Sequence, residues 1–320
     1  MKRVMLLLVA AIAIAAFCLP MNGCDKARPT SPIDGNRAYA WVKGMVDIGP
    51  RPAGTMELKA CRDYILGELK KLGLTAKVDS FKSEPHGAGI EFHNIECEIP
   101  ATNADEKRLL VLGSHYDTKR THVPGNPNPE MLFVGANDAG SSSGLLIELA
   151  RHFKANPLPC RLLLTWFDGE ESLPWEWDSD KALFGSRRCV QQLVKRFKGG
   201  SLKDAVPCMV LLDMVGHKDL AITQDTASNQ VLIKLFQQAI DQLSYGSKFF
   251  QDKNHMTDDH VPFLNYGVRA IDLIQFGDVT AWWHTGNDTM DLISPESLAI
   301  VGHVVSVALP LVAAEFYKKQ

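Results

Sequence analysis

Residues 161–172 read RLLLTWFDGEES. Bulky apolar side chains at consecutive positions, cut off by an acidic turn containing glycine, describe a strand buried on both faces that stops abruptly in polar chain. Three further segments share the pattern: RLLVLGSHYD at 108–117, AVPCMVLLDMVG at 205–216 and VRAIDLIQF at 268–276. Between and after them the apolar spacing changes to three and four residues. GLLIELARHFKA (144–155), SRRCVQQLVKRF (186–197) and NQVLIKLFQQAIDQL (229–243) therefore read as helices, the first entered through GANDAGSSS (135–143), whose small residues can cap it. Such alternation predicts an α/β fold, a single globular domain with a mostly parallel central sheet flanked by helices on both faces.

Outside this centre, NRAYAWVKGMVDIG (36–49) looks helical, and GPRPAG (49–54) interrupts it because Pro50 and Pro52 lack donors. TMELKACRDYILGELKKLGL (55–74) is an amphipathic helix ending near Gly73, TAKVDSFKSE (75–84) an edge strand, and 295–317 a closing helix with a kink expected at Pro310. The first 24 residues differ in kind. Lys2 and Arg3 precede an apolar run from Val4 to Leu19, then Gly23 and Cys24. The run is shorter than the roughly 20 residues a membrane span needs, so 1–24 is read as a secretory leader, of lipoprotein type in its Gly-Cys ending, with membrane attachment through a lipidated Cys24. Residues 25–34 are a polar tether, and 35–320 form the folded domain of an exported bacterial protein, periplasmic or anchored to the envelope.

The composition, 46% hydrophobic and 22% charged over 320 residues with a net charge of -3, suits a folded domain and gives no electrostatic reason to expect nucleic acid as a partner. Of seven cysteines, five (Cys61, Cys97, Cys160, Cys189, Cys208) lie in the body, widely spaced and without a CxxC pair. They form neither a disulfide scaffold nor a zinc-thiolate site, and read as small buried hydrophobes with room for one bridge.

The ends of the apolar runs carry the chemistry. His115, Asp117, Asp138, Glu170, Glu171, Asp213, Asp258, Asp259, His260 and His284 all follow strands or lie in loops, and open α/β sheets bind ligands outside the carboxyl ends of their strands. So many carboxylates at one edge repel each other unless a cation joins them. Imidazole and carboxylate donors without thiolate suit zinc, and calcium is disfavoured by the histidines.

In GPRPAG, GSHYDT (113–118), ANDAGSSSG (136–144), FDGEES (167–172) with WDSDKALFGSRR (177–188), LLDM (211–214), DDHVPFL (258–264) and WWHT (282–285), the chain resembles the zinc-dependent exopeptidases, and among them the glutaminyl-peptide cyclotransferases, or glutaminyl cyclases. The resemblance spans about Trp41 to Tyr317. It implies an α/β/α sandwich and one catalytic Zn2+ held by Asp138, Glu171 and His284. Glu170 is then the acid/base, Asp213 and Asp258 a carboxylate network beside it, and Trp177, with Trp175 as the alternative, walls the substrate pocket together with Trp283. His115 is left as a neighbour of the metal ligands. The implied substrates are peptides or proteins with N-terminal glutamine, which becomes pyroglutamate with loss of ammonia. The aminopeptidase pattern of the same superfamily uses His115, Asp138, Glu171, Asp213 and His284 for two zinc ions, with Asp138 bridging and Glu170 activating water. The ligand set alone does not choose between the two.

Overall fold

A computed structural model of the chain describes residues 30–317. Its strands are β1 (Ala76–Lys82), β2 (Glu91–Ile99), β3 (Leu109–His115), β4 (Arg161–Phe167), β5 (Cys208–Asp213), β6 (Ile222–Asp225), β7 (Phe249–Asn254) and β8 (Arg269–Ile274). They form one mixed sheet in the order β1-β2-β4-β3-β5-β8-β6-β7. The four central strands β4, β3, β5 and β8 are parallel. The remaining four extend the edges, β1 and β2 antiparallel on one side and β6 antiparallel to β8 on the other, with β7 parallel to β6.

Period-two geometry explains why the central runs are apolar throughout. Leu110 and Leu112 of β3 join one large core cluster, with Val210 and Leu212 of β5, whereas Leu109, Val111, Met209 and Leu211 join a second cluster on the opposite face. The first face is covered by α1 (Gly35–Val46), α2 (Met56–Lys71), α3 (Ser142–Ala155), α6 (Gln230–Gln242) and α8 (Pro295–Phe316). The second is covered by α4 (Phe184–Arg196) and the short helices α5 (Leu202–Ala205) and α7 (Val261–Leu264).

Local chemistry sets the helix starts. Asp34, Thr55, Asn229 and Ser294 each accept a backbone N–H of the first turn of α1, α2, α6 and α8. The fold reaches back beyond α1, because Ile33 is buried in the main core and the Asp34 N–H donates to Glu148. That end of the segment read as a tether is therefore packed; residues 25–29 and the leader lie outside the described residues. α8 is apolar and long enough to cross a membrane, yet 72% of its most apolar window is buried inside the fold, as a core helix requires. It continues through Pro310, which faces solvent, rather than ending there. Truncating fully buried Leu309 to alanine costs about 2–5 kcal/mol.

Two expectations are corrected. No serine caps α3: the chain enters it through a wide turn over Ala136–Ser141, where Ser141 Oγ instead donates to the Asn137 carbonyl and accepts the Val215 N–H. All five body cysteines are free and buried, with no bridge.

Candidate active site

The carboxyl ends of the parallel strands deliver the polar residues to one place. β3 ends on His115, β4 runs into Glu170 and Glu171, β5 ends on Asp213, the turn before α3 supplies Asp138, and the loop after β8 supplies His284. Two groups of donors result. Asp138, Glu171 and His284 converge, and so do His115, Asp138 and Asp213, the donor atoms of each group lying within 4.8 Å of one another. Asp138 belongs to both: its Oδ1 is 3.2 Å from His115 Nε2 and its Oδ2 is 3.5 Å from His284 Nε2. Glu171 Oε1 is 3.2 Å from His284 Nε2, and Asp213 Oδ1 is 3.2 Å from His115 Nε2.

The donor set and its unmet bonding fit a divalent metal. Glu171 Oε1 is buried without a hydrogen-bond partner among the described residues, a costly state that a cation between it and His284 removes. The ligand types are imidazole nitrogen and carboxylate oxygen, and one side of the Asp138–Glu171–His284 group opens on a cavity, so a fourth position stays free.

Neighbours orient these donors. Asp117 accepts the backbone N–H groups of Glu170 (3.2 Å) and Glu171 (3.3 Å), so one buried carboxylate fixes the acidic turn, and it lies 3.4 Å from His115 Nδ1. Lys119, only 1% exposed, donates to the Ser172 carbonyl and places its ammonium 3.6 Å from Glu171 Oε2. Met214 and His284, which both line the adjoining cavity, hold left-handed backbone, φ +47° and +52°.

The charges are strongly perturbed. Burial pushes Glu170 well above the usual carboxylate range, and the like charges of Asp258, Glu171 and Asp259 add to it against the opposing pull of His115. Burial with Asp213 nearby raises Asp258 to about 7. Burial disfavours charge on the histidines too, but carboxylates overcome it, raising His284 to about 9 and His115 well above its ordinary value. Asp138 is held below the usual range, because hydrogen bonds and charge from His115 and His284 outweigh its burial.

The cavity has a volume of about 690 Å³ and is lined by Asp138, Glu170, Glu171, Asp213, Asp258 and His284 at its base. Aromatic rings form its walls. Trp283 stacks on the His284 ring with centroids 4.0 Å apart, and Trp175 lies 5.9 Å from the same ring. Trp177 also lines the cavity but stands 45% exposed towards the mouth, so the two tryptophans occupy different depths rather than one replacing the other. His115, Asp117, Asp138, Glu170, Glu171, Asp213, Asp258, His284 and the three tryptophans thus meet here, whereas His260 does not: it is fully buried, with Nε2 3.2 Å from Asp225 Oδ2 and Nδ1 3.8 Å from Asp272 Oδ2. Of the adjacent pair, Asp258 lines the cavity, whereas Asp259 is fully buried behind it. The sequence reading missed Lys119, whose only signal is its place two residues after Asp117 in a polar strand exit.

Residues 94–309 match the peptidase family M28. The chain belongs to the M28 family. Within it, the chain is 28% identical over 295 residues to a glutaminyl-peptide cyclotransferase of Drosophila melanogaster, covering 83% of this chain and 79% of that one. Among solved structures it is similar to an Acidobacteriales bacterium glutaminyl cyclase (TM-score 0.77, 26% identity, 95% and 99% coverage). A Porphyromonas gingivalis glutaminyl cyclase superposes with TM-score 0.74 at 28% identity, over 88% of this chain and 99% of that one.

Proposed function

We propose that the protein is a zinc-dependent glutaminyl-peptide cyclotransferase that converts the N-terminal glutamine of peptides or proteins to pyroglutamate and releases ammonia. The observation that carries this reading is the aromatic slot built directly on a metal-ligand group, with Trp283 stacked on His284 and Trp175 beside it. It is supported by the glutaminyl cyclases among the chain's relatives.

Asp138, Glu171 and His284 would hold one zinc ion, which supplies a Lewis acid for the γ-carbonyl oxygen of the glutamine. The rest of the chemistry falls to the chain. The reaction is intramolecular, so the cavity has to fold the side chain back until the α-amine nitrogen meets the γ-carbon, and the tryptophan walls restrict it to that bend. Glu170, close to the metal ligands but outside their group, takes the proton the amine loses as the N–C bond forms. It returns a proton to the amide nitrogen as the C–N bond breaks, so the nitrogen leaves as ammonia. Its raised proton affinity suits a group that must carry a proton between two nitrogens. Asp258 adds to that affinity by its negative charge, Asp213 does the same for Asp258, and the three carboxyls share the site's protons.

One observation favours a second reading. His115, Asp138 and Asp213 form a further donor group, as a dizinc aminopeptidase with Asp138 bridging would require. The two separate on one paired measurement: zinc per chain in the purified protein, with ammonia release from a Gln-initiated peptide and leucine release from a Leu-initiated one. One zinc with ammonia is expected, and two zincs with leucine would replace the cyclase by the peptidase. Export through residues 1–24, with lipid on Cys24, belongs to the same reading and is tested by mass analysis of the mature N-terminus.

A further inference from the structure

We infer that Arg51 and Asp288 form a clamp that sets the position of Asp138, making both of them positioning residues for metal binding. This rests on Asp138 being a metal ligand.

Arg51 is fully buried, and its guanidinium donates to backbone carbonyls: Val134 at 2.8 Å, Gly135 at 3.1 Å, Gly49 at 3.2 Å and Tyr116 at 3.5 Å. The Arg51 N–H donates to Thr118 Oγ1, and the Thr118 N–H donates back to the Arg51 carbonyl. One side chain therefore ties the stretch leading to Asp138 to the stretch that holds His115, Asp117 and Lys119. A buried guanidinium spent on carbonyls, with no carboxylate partner among the described residues, is expensive unless the geometry it fixes matters.

Asp288 holds the same segment from the other side. It is fully buried, and its Oδ1 and Oδ2 accept the N–H groups of Asn137 (2.6 Å) and Asp138 (3.0 Å), while its own carbonyl accepts from Ala136. Asp288 lies four residues after His284, so its carboxylate couples the backbone of one ligand to the loop of another. Between the two clamps the turn is too tight to adjust: a Cβ at Gly135 would sit 2.0 Å from the Asp138 carbonyl oxygen. Residues 134–138 are thus gripped by their carbonyls at one end and their N–H groups at the other.

At Arg51 charge and geometry make opposite forecasts, which renders the inference testable. If these residues acted through their fields, removing the Arg51 cation would tighten zinc binding and removing the Asp288 anion would weaken it. A clamp requires both losses to weaken it. The test titrates metal-free full-length protein with zinc against a chromophoric chelator, for wild type, Arg51→Lys, Arg51→Met and Asp288→Asn. Arg51→Lys keeps the charge but loses the planar fork, and Asp288→Asn keeps the shape but can accept only one of the two N–H groups. Each is expected to weaken zinc affinity about 10- to 100-fold, with kcat recovering at excess zinc. Wild-type affinity in Arg51→Lys or in Asp288→Asn, or tighter binding in Arg51→Met, overturns the clamp. So does a kcat that excess zinc does not restore, since that marks general damage. Should Arg51→Met not fold, the two conservative variants decide. Asp138→Asn is the control for the underlying assignment: if it binds zinc as wild type does, the ligand assignment fails, whereas loss there with none in the others removes the clamp alone.

Discussion

Two buried carboxylate sites in this molecule have opposite fates. Glu148, on the inner face of α3, has a completely buried side chain whose oxygens accept from the Arg37 and Arg151 guanidiniums and the Asp34 N–H. The site around Glu170 buries more acid with less basic company: Glu170, Glu171, Asp213, Asp258 and Asp259 face His115, His284 and the single ammonium of Lys119. The α3 carboxylate is held below its usual range, because hydrogen bonds from Arg151 and Arg37 outweigh its burial, whereas Glu170 and Asp258 are pushed up. Burial of acid by itself is not a mark of function. What distinguishes the second site is charge that the chain leaves for something else to neutralise.

The sharpest way to break this contrast is to remove the proposed proton carrier. Glu170→Gln should lower kcat by about 10²- to 10⁴-fold with zinc content unchanged, read by ammonia release and metal analysis on the same sample. Glu171→Gln should lose zinc by more than about 100-fold in affinity, beyond the effect typical of outer residues. Equal metal loss in the two would merge the roles assigned to them. Glu148→Gln should leave catalysis alone and cost about 1.5–3 kcal/mol in denaturant unfolding, since charged hydrogen bonds go but the two arginines stay partly solvated.

Acid and base act in opposite senses at the two sites. A depressed carboxyl stabilises the fold above its ordinary range near pH 4 and gives that up as pH falls through the folded value, so the Glu148 contribution disappears in acid. At the metal site without metal, Asp258 binds its proton more tightly when folded, and stability drains as pH rises from about 4 to about 7; His284 continues the same trend from about 6.5 to about 9. Metal-free protein should therefore melt at lower temperature at pH 8 than at pH 5.5, and zinc should raise the melting temperature more at pH 8. An unchanged melting temperature across that interval would remove the distinction. The smallest effect is expected at the rim: Trp283→Ala should raise KM about 2- to 10-fold through loss of the ring stack on His284, and Trp177→Ala, nearer the mouth, by less.

The central sheet was legible because β3, β4, β5 and β8 are apolar on both faces, a pattern few other structures produce. Strand β2 escaped it because Glu91, Glu96 and Glu98 break the run. β6 has only four residues, and β7 is mostly exposed polar chain. The candidate donors could be found from their places at strand ends. Arg51 and Asp288 could not, since their partners are backbone groups and no side-chain pattern records them. The depths of Trp175 and Trp177 likewise depend on the path of an irregular loop.

The left-handed residues at the sheet's carboxyl edge limit how this sequence can drift. An L-residue there costs about 1–2 kcal/mol, and glycine is the usual relief. His284 has no such escape, because its imidazole is one of the proposed ligands. Met214 has none either: its side chain is buried against Met256, Ile274 and Trp282, and emptying that space would cost about 2–5 kcal/mol, more than the backbone would recover. Each position is trapped for a different reason, so random substitution can reach local comfort at neither without first rebuilding its surroundings.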